Sequence, residues 1–255
     1  MKNCINSFVN NTTSNLDSLP INHILETYAF RELIMGSPTL KTNLCDVFNE
    51  QLLYFFYGIP SYRLSKNNKS SKLSSLYPVC IVLDIYKCGV PHRIIALDSG
   101  GFDNNIFKDF FHEKTSLDDL SLYPTIETGK KFVAAFYGNN KNYLYNNPLD
   151  DIKHNPLEFE LEGYIELIRT KQISNYDDRA STLEMQYTQD IELDKTKVKL
   201  VVLPAILMDD PEVKKLLEED WESTVETYTT YRANPNEFMS TIKTKVLDFI
   251  EKENK

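Results

Sequence analysis

Residues Leu52–Arg63 read Leu-Leu-Tyr-Phe-Phe-Tyr-Gly-Ile-Pro-Ser-Tyr-Arg, and six of the twelve are Tyr, Phe or Arg. The first half is an apolar, aromatic run too short for a helix, so it predicts a buried strand. Gly58-Ile59-Pro60 ends that strand, because Gly permits positive φ and Pro has no N–H to donate to a ladder. Ser61, Tyr62 and Arg63 then stand where a buried strand opens into a loop. Such a place can present a flat ring and a fork-shaped cation to a ligand. The plainer alternative makes the aromatics core and leaves Arg63 in solvent at the strand end.

Other segments surround this one. Residues 1–18 are polar and rich in Asn, Ser and Thr, and read as a poorly ordered leader. Glu26–Met35 has helical spacing and stops at Gly36-Ser37-Pro38. Residues 64–75 form a small, polar, basic stretch with Lys66, Lys69 and Lys72, a disordered excursion or a lid. Pro78–Asp84 and Arg93–Asp98 read as two strands of a hairpin around Gly89 and Pro91. Helical spacing recurs in Asn104–His112, Thr128–Tyr137, Pro156–Thr170, Pro211–Trp221 and Asn234–Glu251.

In Asp177–Leu193, Thr182, Glu184 and Gln186 alternate with Leu183, Met185 and Tyr187. A strand there places Glu184 on one face with two polar neighbours. Val198–Ile206 follows as another buried strand. No repeat or linker is visible. The expected fold class is α+β, a single domain with a mixed or antiparallel β core and flanking helices. Its expected parts are the leader 1–18, a core over 19–210 and C-terminal covering helices over 211–255.

The net charge of -9 over 255 residues argues against broad affinity for nucleic acid or an anionic membrane. No apolar run reaches transmembrane length, and the N-terminus lacks a signal-peptide apolar region, so a cytoplasmic protein is expected. The cysteines Cys4, Cys45, Cys80 and Cys88 form no C-x-x-C pair, which predicts free thiols. The histidines His23, His92, His112 and His154 show no metal-ligand spacing, so no metal is expected. Asp98-Ser99-Gly100-Gly101 is similar to a serine-protease string, but no Gly precedes it and its partners lack context. Cys45 is the better candidate for a thiol hydrolase, since Cys80 lies mid-strand in an apolar run.

His23, the Tyr-rich strand and turn with Tyr57, Tyr62 and Arg63, Asp98 after a strand, and a late Glu184 follow one another in the chain. In that order the chain resembles the ADP-ribosyltransferase superfamily, and within it the bacterial toxin branch that modifies DNA bases. The resemblance rests on LPINHILETYAFRELIMGSPTL, on LLYFFYGIPSYR, and on ASTLEMQYTQDIEL with KVKLVVLPAIL, over about residues 19–210. It implies an ADP-ribosyltransferase-like core and NAD as substrate. Glu184 would be catalytic, orienting the nicotinamide ribose and stabilising its positive charge. His23, Tyr57, Tyr62 and Arg63 would bind the dinucleotide, and the 64–75 loop would cover it.

The implied role is a toxin or defence effector acting on a nucleic acid, nucleotide or protein acceptor, with a cognate antitoxin or partner protein. The acidic charge leaves the acceptor open, water included, and the arginine-specific R-S-E-x-E pattern is absent. The rival expectation is a non-enzymatic binding module that uses residues 52–63 as a recognition surface.

Overall fold

A computed structural model describes residues 3–61, 70–170 and 178–253. In chain order the elements are α1 Cys4–Asn11, β1 Ile21–Glu26, α2 Thr27–Met35, β2 Thr39–Leu40, β3 Asn43–Cys45, β4 Glu50–Tyr57, β5 Pro78–Leu83 and β6 Arg93–Ile95. Then come α3 Ser99–Asp103, β7 Ser121–Leu122, α4 Ile126–Tyr137, α5 Asn140–Leu144, α6 Phe159–Arg169, β8 Glu184–Tyr187 and β9 Ile191–Glu192. The chain closes with β10 Val198–Pro204, α7 Pro211–Lys214, β11 Thr224–Tyr228 and α8 Met239–Glu253. The class is α+β; β1 with β5, β5 with β10, β2 with β9, β3 with β4, β4 with β8, and β6 with β7 and β8 pair antiparallel, and β10 with β11 pairs parallel.

The chain divides into two compact units, each drawn from three stretches of sequence. One holds residues 1–19, 43–57 and 90–188; the other holds 20–42, 58–89 and 189–255. In the first unit the strands run β3-β4-β8-β6-β7, and α1 packs on α4, α6 and β7. In the second they run β1-β5-β10-β11, β2 pairs with β9, and α8 packs on β5, β10 and β11.

Apolar runs became strands where the sequence pointed to them. β4 ends at Gly58, whose φ of 69° is one that a Cβ disfavours. α4 stops at Gly138, φ 76°. α8 buries Met239, Ile242, Val246 and Ile250 at helical spacing.

Three expectations are corrected. Residues 1–18 are not all leader: α1 buries Ile5 and Val9 completely, and the Asn3 side chain caps it by accepting the Asn6 N–H at 2.8 Å. The strands near 78–84 and 93–98 do not form a hairpin. β5 has β1 on one side and β10 on the other, which leaves no edge for β6, and β6 pairs with β7 and β8. Asn104–His112 is a chain of turns, with Asn105 at φ 57°, and the helix there is the short α3 just before it. The helix expected over Pro211–Trp221 is present, opening as α7 and widening into a π-helical turn over Lys215–Asp220. The strand β11 had no counterpart in the sequence reading.

Among the described residues no helix is long and apolar enough to cross a membrane.

Candidate functional site

β8 lies between β4 and β6, and this puts Glu184 opposite Phe56 on one side and Ile95 on the other. Glu184 is only 1% exposed. Its carboxyl survives there because donors are placed around it. The Ser99 hydroxyl donates to Oε1 at 2.8 Å, and the Ser99 main-chain N–H donates to Oε2 at 3.1 Å. Gln186, two residues on and therefore on the same strand face, donates its side-chain N–H to Oε1 at 2.6 Å.

Ser99 is in reach because Asp98 turns the chain just after β6. Asp98 caps α3, its Oδ2 accepting the Gly101 N–H at 3.0 Å. Gly101 is required there: a Cβ would come within 2.9 Å of both Asp98 Oδ2 and the Phe107 ring. Asp98 is also tied to the turn before β8. Its N–H donates to the Arg179 carbonyl at 3.0 Å, and Arg179 Nη1 lies 3.5 Å from Asp98 Oδ2.

Burial pushes the Glu184 carboxyl up to a pKa of about 8, and the nearby Asp98 charge adds to the rise. The hydrogen bonds from Gln186 and Ser99 pull the other way. A carboxyl that holds its proton at neutral pH beside a second carboxyl is an arrangement often found at reacting centres.

A chain of side chains runs from Glu184 to the surface. Gln186 faces Arg93 across the β6–β8 ladder, and Arg93 Nη1 donates to Gln186 Oε1 at 2.7 Å. Arg93 Nη2 donates to Glu50 Oε1 at 2.8 Å, and its guanidinium lies 4.0 Å from the centre of the Phe48 ring. Glu50 Oε2 in turn is 3.1 Å from His92 Nε2. Arg93 holds the Glu50 carboxyl below its usual range.

The other expected site residues fall in different surroundings. Tyr57 is fully buried at the end of β4, its hydroxyl accepting the Leu19 N–H at 2.9 Å and its carbonyl accepting the Tyr143 hydroxyl at 2.8 Å. His23 is half-buried on β1 opposite Ile81, in the second unit. Tyr62, Arg63 and residues 64–69, half of the 64–75 loop, lie outside the described residues.

Cys45 is buried on β3 opposite Glu50 and bonds to Tyr54, whose phenol burial pushes well up. Burial also drives the Cys80 thiol far up and Cys88 to about 12, which leaves both poor nucleophiles. Among the described residues no group of three or more His, Cys, Asp or Glu side chains is placed to hold a metal ion.

Sequence reasoning singled out Glu184 and noted Asp98 and Gln186. It passed over Ser99, Arg93, Glu50 and Arg179 as site members. Ser99 had a visible signal, a hydroxyl beside an Asp directly after a strand. Arg93, Glu50 and Arg179 had none, since only strand pairing and the turn before β8 bring them in. Searches against protein-family models, curated proteins and solved structures found no match for this chain.

Proposed function

We propose that the protein is an NAD-consuming ADP-ribosyltransferase with Glu184 as its catalytic carboxylate. One observation carries the reading: a buried Glu on a late strand, gripped at both oxygens and set beside a second carboxyl. Breaking the bond between nicotinamide and ribose leaves positive charge on the ribose. A fixed carboxylate beside that charge stabilises it without reorganising in the act.

The ligand-free carboxyl holds a proton, and the positive charge of a bound nicotinamide ring would lower its pKa so that the proton is lost to water. A positive charge arriving next to Glu184 favours the ionised form. Asp98 and Arg179 are the more open members of the cluster, so a substrate would approach past them. The class of the core, the dinucleotide-binding roles of His23, Tyr62 and Arg63, and the toxin or defence role all rest on the same proposal. The acceptor is a nucleic acid, a nucleotide, a protein or water.

The rival reading, a binding module, has one observation in its favour. Internal donors already occupy both Glu184 oxygens, as in a purely structural buried cluster. Residues 52–61 do not supply its recognition surface, because β4 and the turn after it are largely buried. The deciding experiment incubates the protein with adenine-labelled NAD and follows nicotinamide release and label transfer. Wild type should consume NAD, and Glu184→Gln should be slower by about 100-fold or more. Equal rates for the two proteins, or no NAD consumption by wild type, would overturn the proposal.

A further inference from the structure

The Gln186 amide can lie either way round in its slot, and the choice decides what Glu184 meets. One way its N–H donates to the carboxylate; the other way its carbonyl oxygen faces it. The neighbour on the far side settles the matter. A guanidinium has donors and no acceptor, so Arg93 admits only the amide oxygen, at 2.7 Å. The amide N–H is thereby turned to Glu184 Oε1, at 2.6 Å. We propose that Gln186 is a positioning residue for Glu184, and that Arg93 sets it by permitting a single orientation of its amide.

This deepens the reading of Glu184 as the reactive carboxyl and rests on it for its functional meaning. Arg93 is itself fixed from two sides, by Glu50 Oε1 at 2.8 Å and by the Phe48 ring at 4.0 Å. Its charge is therefore delivered to Glu184 through one amide and not by direct contact. Two donors, the Ser99 hydroxyl and Gln186, converge on Oε1, whereas Oε2 receives the Ser99 N–H. The proton of the neutral carboxyl belongs on Oε2, and Oε1 keeps its role as acceptor in both states.

The other groups facing Glu184 are Asp98 after β6, with Arg179 paired to it, and Tyr54 on β4. Among the described residues the Gln186 amide bonds to Arg93 on one side and Glu184 on the other, so its direction depends on Arg93. Without Arg93 the amide is free to turn. Its carbonyl then accepts from the protonated carboxyl and favours that form.

The test is a carbon-13 NMR titration of the Glu184 side-chain carboxyl in the full chain without NAD, the resonance being assigned by its loss in Glu184→Gln. Arg93→Met and Gln186→Met should each raise the titration midpoint by about one pH unit. Arg93→Lys keeps a donor-only neighbour and should restore the wild-type midpoint. Arg93→Met combined with Gln186→Met should titrate no higher than Gln186→Met alone, because Arg93 acts through the amide. A direct effect of the Arg93 charge would instead add in the double variant, and that sum overturns the proposal, as does an unmoved midpoint in Arg93→Met.

If Arg93→Met does not fold, the comparison of Arg93→Lys with Gln186→Met decides. An unmoved Gln186→Met, or a Lys variant shifted as far as Gln186→Met, overturns the proposal. The readout needs no NAD turnover, so a failure here and a failure of the transferase reading are separate results.

Discussion

Ser99 holds Glu184 with two different groups, its hydroxyl on Oε1 and its main-chain N–H on Oε2. A substitution can remove the first and must spare the second. Ser99→Ala leaves Oε1 with Gln186 as its donor, so the loss should be about 1 kcal/mol and not the larger cost of an orphaned carboxyl. Urea denaturation near neutral pH measures it. A loss above about 3 kcal/mol would show that the hydroxyl does more than share an acceptor.

Glu184 also gives stability a pH dependence with a definite sign. The folded carboxyl keeps its proton up to about pH 8, and the unfolded one releases it near 4.5. Between those values the folded chain binds more protons than the unfolded chain, so stability falls as pH rises. The contribution is fully present below 4.5 and gone above about 8. Glu184→Gln has no proton to lose. Its stability relative to wild type should therefore climb across this window, by roughly a few kcal/mol in all. Denaturation curves at stepped pH should diverge. Parallel curves would mean that Glu184 titrates normally.

Gly129 on α4 lies against Tyr57. A Cβ there would stand 2.7 Å from Cε2 and Cζ of the buried ring. Ala is the better helix former by about 1 kcal/mol. Overpacking a core costs about 1–3 kcal/mol, and Tyr57 is pinned by its hydroxyl and carbonyl bonds, so the clash should win. Gly129→Ala should be less stable in urea, and a more stable variant would show that the ring yields freely.

The sequence made some of this legible and hid the rest for identifiable reasons. β4, β5 and β10 were readable because most of their residues are apolar, and Gly58, Pro78 and Pro204 respectively mark an end of each run. Glu184 and Gln186 could be placed on one face by the two-residue period of a strand. Their partners could not, because register between strands distant in the chain leaves no local trace. Arg93 opposite Gln186 is such a case. α1 was hidden by the Asn-, Ser- and Thr-rich sequence around it: its inner face is Ile5, Phe8 and Val9, with the Phe8 ring 5.3 Å from that of Phe136. The expected hairpin failed because two neighbouring strands and a turn satisfy the local signal, while β5 already had partners on both edges.

The place of β8 between β4 and β6 has a consequence for the newly made chain. Both flanking strands leave the ribosome well before the strand that joins them, and β8 must insert between partners already synthesised. Such long-range pairing is slow to form. No nascent chain or N-terminal fragment that stops short of β8 can bring Asp98, Ser99 and Glu184 together. The cluster is complete only once the chain has been made past β8, and a fragment that ends before Glu184 lacks it.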